Sequence, residues 1–247
     1  MREWFENEAF WRELYPYMFD ERRFSVTDAE VRGIVKLTGV RRGAVLDLCC
    51  GPGRHSVALA KRGFQVTGVD RTRFLLNKAR QRARAARVRV EFIESDMRDF
   101  VRAGAYRLVL SLFTSFGYFD KKDEDRRVLR NIFTSLKSNG VCVIDLMGKE
   151  RLAKIFVPTT STKYPDGALL IQRHEAFDDW TRIRNEWMLV KGNRARWFKF
   201  HHTVYSAQEL KDRLLQAGFA DVKLYGDFDS RPYGTDSPRL VAVARKG

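Results

Sequence analysis

The sequence has no apolar run approaching the roughly 18 residues that cross a bilayer, so neither a membrane span nor a membrane partner is expected. Three cysteines in 247 residues are too few for a disulfide framework, and none is spaced as a CxxC metal pair. Cys49 and Cys50 are adjacent and Cys142 sits in an apolar stretch; all three read as small buried side chains, and no metal is expected. No internal repeat or low-complexity segment is present. Residues 1–6 carry no signal-peptide pattern, and a cytoplasmic location is expected. Acidic residues are in short supply, 31 against 46 Lys and Arg, which leaves a net charge of +15. Such an excess attracts nucleic acid, acidic membranes or anionic metabolites. Its densest patch is residues 71–89, where Arg73, Arg80, Arg84 and Arg87 share one helical face and Leu75, Leu76, Ala79 and Ala83 turn inward. A solvated helix surface is the plain account of that stripe.

What is present is the composition of a folded soluble domain, 44% hydrophobic and 31% charged. The length suits one large α/β domain or such a domain with an insertion. Residues 3–19 place Trp4, Trp11, Leu14 and Met18 at helical spacing, with Pro16 expected to interrupt or end the first helix. Too aromatic for an idle tail, the segment packs on the domain, covers a ligand, or does both. Thr27 with Glu30 predicts a capping box that opens a helix closing near Gly39. Strands are expected at 45–48, 64–70, 88–93, 106–112 and 141–146, and a helix at 122–136 is expected to stop at Ser138-Asn139-Gly140. That β-α alternation predicts parallel strands with right-handed crossovers. Residues 168–177, 182–190 and 195–205 then read as three antiparallel strands on the ligand-binding rim. Ser206 with Glu209 opens a last helix to Gly218, and strands at 222–225 and 240–244 finish the chain.

The chain is organised around residues 45–55, where a short strand meets a turn containing Gly51 and Gly53 and then a helix. Each glycine permits a backbone path and a close ligand approach that a side chain would block. The helix-start amides accept an anion and Asp47 accepts from a cationic donor, so one site can grip a zwitterion. With Asp70 ending the second strand, such a turn would serve NAD as well as S-adenosylmethionine, because both have ribose hydroxyls to donate. Two further acids separate them. Asp47, four residues before Gly51, suits an amino group that NAD lacks there, and Asp96 suits an adenine amine with Met97 against the ring.

In these residues the chain resembles the class I, Rossmann-like S-adenosylmethionine-dependent methyltransferases. The matching motifs are Leu46-Asp47-Leu48-Cys49-Cys50-Gly51-Pro52-Gly53, Gly68-Val69-Asp70, Glu94-Ser95-Asp96-Met97 and Leu110-Ser111-Leu112-Phe113-Thr114-Ser115-Phe116-Gly117-Tyr118. Thr114-Ser115-Phe116-Gly117-Tyr118-Phe119 and the β insertion resemble the bacterial small-molecule branch. The resemblance implies a doubly wound α/β fold: a mostly parallel seven-stranded sheet with helices on both faces, from residues 39–147 and 206–247. An antiparallel β insertion at 148–205 would be a substrate-side cover and residues 1–38 a lid segment. S-adenosyl-L-methionine is the cofactor implied, with Asp47 and Gly51 at its methionine end, Asp70 on the ribose, Asp96 and Met97 at adenine, and Leu112 and Phe113 beside the methyl. Tyr15, Cys49, Gly53 and Arg71 complete the expected cofactor set, and Tyr15, Phe113, Phe116 and Tyr118 are the candidates for an aromatic wall around the sulfonium.

His201, Tyr118 and Tyr205 are the catalytic candidates, with Tyr233 outside them. His201 and His202 point to opposite faces of their strand, His55 reads as a helix-start residue, and Arg54 as solvated. The function expected is in-line methyl transfer to nitrogen or oxygen of a small molecule or peptide. Residues 111–118 lack an Asn/Asp-Pro-Pro-aromatic motif and no cysteine lies between Cys50 and Cys142, which disfavours nucleic-acid acceptors. The rivals are an RNA methyltransferase using the 71–89 helix and a non-catalytic S-adenosylmethionine-binding module.

Overall fold

A computed structural model describes residues 3–247; Met1 and Arg2 of the expected lid segment lie outside the described residues. A 3₁₀ turn at Trp4–Glu6 leads into α1 (Glu8–Met18), α2 (Glu21–Ser25) and α3 (Thr27–Thr38). Pro16 does not end α1, against expectation: the helix runs on to Met18, and the Phe19 N–H closes on the Tyr15 carbonyl. A proline in the last turn forfeits one backbone bond, which burial of Phe10, Trp11 and Leu14 outweighs. Thr27 forms no capping box either. With α2 directly upstream, its hydroxyl donates to the Arg23 carbonyl at 3.1 Å. Gly39 closes α3 with φ +71°, as expected.

Strands and helices then alternate: β1 (Ala44–Leu48), α4 (Arg54–Lys61), β2 (Gln65–Asp70), α5 (Arg73–Ala85), β3 (Glu91–Glu94), β4 (Tyr106–Ser111), α6 (Lys122–Ser135) and β5 (Leu136–Leu146). After α7 (Lys149–Ile155) come β6 (Thr159–Lys163), β7 (Leu169–Phe177), β8 (Arg182–Lys191) and β9 (Arg194–Thr203). The chain ends with α8 (Ala207–Gln216), β10 (Asp221–Tyr225) and β11 (Leu240–Arg245).

The larger sheet has the order β10-β11-β5-β4-β1-β2-β3, with β11 antiparallel to both its neighbours. β1 lies between β2 and β4, so the chain leaves it in both directions and a crevice opens at the carboxyl ends of these strands. β5 and β11 are buried on both faces, which explains their near-continuous apolar sequence. One core packs Val31, Ile34 and Leu59 against one face of the sheet, and another packs Leu129, Ile132 and Leu214 against the other. Ser206 and Glu209 form the expected capping box of α8.

Two boundaries differ. β3 begins at Glu91 rather than Val88, and Ser138-Asn139-Gly140 lies inside β5, opposite a register shift between Tyr106 and Leu108. The insertion holds a fourth strand, β6, whose side chains are all exposed and which therefore carried no apolar alternation to read. It forms the antiparallel sheet β6-β7-β8-β9. Residues 3–19 lie between the two sheets: the Phe10 ring meets Trp187, Phe198 and Phe200, while Trp4 packs on Tyr118 at 4.7 Å and Phe200 at 4.8 Å. Among the described residues no helix is long and apolar enough to cross a membrane.

Candidate functional site

The turn after β1 is left-handed at Cys49, Gly51 and Gly53. For Gly53 this is more than conformational freedom. A Cβ there would stand 2.8 Å from the Ala79 Cβ, so glycine is what lets α4 and α5 close together. The turn opens on a cavity of about 120 Å³ at the carboxyl ends of β1, β2 and β4. Asp47, Asp70, Arg71 and Asp96 line it, with Cys49, Gly51 and Met97 beside them. Phe5, Trp11, Met18 and Phe19 from the N-terminal segment line it from above, and Leu112, Phe113 and Tyr118 complete the wall.

The three carboxylates are held differently. Asp47 is 2% exposed and accepts the Ser56 hydroxyl at 2.5 Å; burial raises its pKa against the pull of His55 and Ser56. Asp70 accepts the Gly51 and Thr72 N–H groups at 2.8 Å each, and burial lifts its pKa to about 6. It therefore braces the glycine turn as well as facing the cavity. Burial would raise Asp96 too, but hydrogen bonds from Arg98 at 2.8 and 3.0 Å and from Arg71 at 2.7 Å bring it below the ordinary carboxylate range. Arg98 also binds Glu3 and Glu124, and Arg71 binds Glu6. Asp96 thus ties the N-terminal turn to the sheet.

Of the residues expected at a cofactor, Asp47, Cys49, Gly51, Asp70, Arg71, Asp96, Met97, Leu112 and Phe113 come together around this cavity. Gly53 lies behind the turn, and Tyr15 packs against Phe19 and edge-on against Phe74 outside the lining. Tyr118 lines the cavity, and burial pushes its hydroxyl pKa up. His201 lies elsewhere, half-buried against Asp120, and Tyr205 donates to the buried Asp125 at 2.5 Å. Neither lines the cavity, nor does Phe116. Tyr233 is also outside, donating to Glu150 at 2.8 Å. His202 is enclosed in the second sheet near Asn185, and burial drops its pKa to about 4.

Sequence reasoning missed Arg54 and Glu30. Arg54 is not solvated: it is 6% exposed, lines the cavity and pairs with Glu30, which also takes the His55 Nε2 at 2.8 Å. A partner 24 positions upstream left no local signal. Phe113 and Thr114 are consecutive left-handed residues with φ +62° and +58°, a strained pair of the kind that clusters at functional sites. Asp145 holds them, accepting the Phe113 and Thr114 N–H groups at 3.0 Å through its carboxylate and carbonyl. Among the described residues no cluster of three His, Cys, Asp or Glu is placed to hold a metal.

Comparison with known proteins agrees with this geometry. Residues 45–140 match the family described as "Methyltransferase domain". The chain is 32% identical over 205 residues to the cypemycin N-terminal methyltransferase of a Streptomyces species, covering 82% of each chain. It is 27% identical over 216 residues to a glycine/sarcosine N-methyltransferase of Aphanothece halophytica, covering 86% of this chain and 78% of that one. Its fold matches the CcbJ methyltransferase from Streptomyces caelestis with a TM-score of 0.77 at 20% identity over 90% of both chains. A parallel sheet with one reversed strand, a glycine turn at its switch point and acids at successive strand ends therefore place this chain in the class I, Rossmann-like S-adenosylmethionine-dependent methyltransferases.

Proposed function

We propose that the chain transfers a methyl group to an amine of a small molecule or a peptide, with the cofactor in the cavity beyond β1. The observation that carries this reading is the meeting of Asp47, Asp70 and Asp96 with Phe113 and Tyr118 around one cavity. These groups suit a ligand with an amino group, a ribose, a purine and a cationic sulfur: carboxylates accept from the first three, and aromatic faces favour the last by ~0.5 to 2 kcal/mol each. Bound there, S-adenosylmethionine supplies a methyl already activated for transfer.

The chain's own residues position and shield. Asp47 orients the amino end, Asp70 the ribose, and Met97 lies against adenine, while Asp96, whose two oxygens already accept four hydrogen bonds from Arg71 and Arg98, reaches the adenine amine by exchanging one of them. Leu112 and Phe113 flank the methyl, and Trp11, Met18 and Phe19 exclude water. Alignment of this kind lowers a barrier by ~7 to 11 kcal/mol. An amine that enters uncharged attacks without a prior proton transfer, and its proton leaves afterwards to solvent. Tyr118, its hydroxyl held protonated, serves as wall and hydrogen-bond donor rather than base. Residues 3–38 act as the lid, and the second sheet, within residues 148–205, backs that lid instead of touching the cofactor.

One relative named as an N-methyltransferase and one named for methylating a peptide N-terminus favour nitrogen over oxygen. The test is calorimetric binding of S-adenosylhomocysteine followed by methyl transfer to matched panels of amines and alcohols, read by mass spectrometry. Methylated amines are expected. Cofactor binding with alcohols alone methylated would move the assignment to oxygen, and no cofactor binding would end it.

A further inference from the structure

At the opposite end of the parallel strands lies a second cleft, of about 680 Å³, at the first residues of β1, β2 and β4, Ala44, Gln65 and Tyr106. It exists because β3 starts late. The first pair between β2 and β3 is Thr67 with Glu91, so Val88, Arg89 and Val90 pass the start of β2 without joining it. The floor is apolar, with Val66, Val90 and Ala105, and the rim carries Arg80, Arg84, Arg89 and Arg102.

One carboxylate answers these four guanidiniums. Glu91 takes Arg102 through both oxygens at 2.7 Å. Arg80 makes only neutral contacts, to Asn77 and the Phe92 carbonyl. Arg84 and Arg89 are exposed and enter no hydrogen bond or ion pair among the described residues. A second observation is independent of charge. Tyr106 lines the same cleft at 2% exposure, and although Arg102 approaches it, no group completes a hydrogen bond to its hydroxyl. The hydroxyl is shut off from solvent as well as unpaired, so a ligand reaches it by displacing a neighbouring side chain of the cleft such as Arg102.

Elsewhere in the arginine-rich stretch Arg71 binds Asp96 and Glu6, Arg73 binds Glu94, and Arg82 covers Phe24, while the Arg87 side chain is exposed and enters no hydrogen bond or ion pair among the described residues.

The geometry points to a binding site for a phosphorylated small molecule, its phosphate between Arg84 and Arg89 and its apolar body on Val66 and Val90, with an oxygen reaching Tyr106. Guanidinium pairs match a phosphate dianion in charge and in planar donor geometry. The site faces away from the cofactor cavity, so both ligands can bind at once.

Phenyl phosphate titrated calorimetrically into protein saturated with S-adenosylhomocysteine is the test. Binding is expected, stronger than for inorganic phosphate and about tenfold or more weaker in Arg84→Gln/Arg89→Gln. Tyr106→Phe is expected to weaken it less. Affinity for S-adenosylhomocysteine should not change in the double variant, whose altered side chains hold nothing in the fold. No binding of phenyl phosphate at low salt, or equal binding by the double variant, would overturn the assignment. So would an RNA oligonucleotide that binds more tightly, with a steep salt dependence lost in the double variant, because the ligand would then be nucleic acid.

Discussion

Replacing Asp70 by asparagine separates what this carboxylate does for a ligand from what it costs the fold. In the structure its oxygens accept two backbone N–H groups, yet burial lifts its pKa from 3.8 to about 6. At 1.36 kcal/mol per pKa unit, the ionised form burdens the native state by about 3 kcal/mol. The folded protein holds this proton more tightly than the unfolded chain, so the burden is absent below pH 3.8, grows as pH rises, and is complete above about 6. Ribose hydroxyls donate and need the ionised form. Affinity for S-adenosylhomocysteine should therefore be constant above pH about 6 and fall by about tenfold per pH unit below it. In Asp70→Asn the profile should be flat between about pH 5 and about pH 8, with affinity lower at neutral pH by ~1.5 to 3 kcal/mol from lost charged hydrogen bonds. The same variant sheds the buried charge but sets its amide NH2 against one of the two N–H donors, at a cost of ~1 to 3 kcal/mol, so its stability at about pH 8 should lie within about 2 kcal/mol of wild type. Calorimetric titration across that interval reads the first effect and urea unfolding the second. A flat wild-type profile, or a slope that survives in Asp70→Asn, would refute the reasoning.

Gly53→Ala forces a Cβ to within 2.8 Å of the Ala79 Cβ at a backbone φ of +74°, and thermal unfolding should register a loss of ~1 to 3 kcal/mol; an unchanged midpoint would mean that α4 and α5 slide apart freely. Glu30 is half-buried, which opposes ionisation, but His55 and Arg54 together bring its pKa from 4.5 to about 2. Its stabilising contribution, at most about 3 kcal/mol, is present above pH 4.5 and is lost as pH falls toward 2. Glu30→Gln should therefore lower urea-unfolding stability at neutral pH and converge on wild type in acid; equal curves at pH about 7 would show that the Arg54 contact contributes nothing.

The parallel β-α alternation and the position of the cavity followed from patterns local enough to read. The glycine turn, the acids closing successive strands and the doubly buried runs of β5 and β11 each fit within one element, where periodicity and turn chemistry act. What escaped reading depends on distant partners. Pro16 sits in a helix because aromatic residues from the second sheet hold α1. Thr27 bonds backward into α2 instead of capping, because α2 leaves no free amides to satisfy. Arg54 needed Glu30, and Asp96 acquired two arginines that no spacing announced. β6 pairs through backbone alone, with every side chain in solvent.

The roof of the cavity is made from residues 3–19, which are synthesised before both sheets, yet Glu3 bonds to Arg98 across 95 positions and Tyr17 to Asp166 across 149. During translation that aromatic stretch must wait, greasy and unpaired, until the second sheet has emerged from the ribosome. Contacts of such long sequence separation form slowly. Completion of the pocket is therefore a late event in folding, and a nascent chain acquires its grip on the cofactor only after the second sheet has been made.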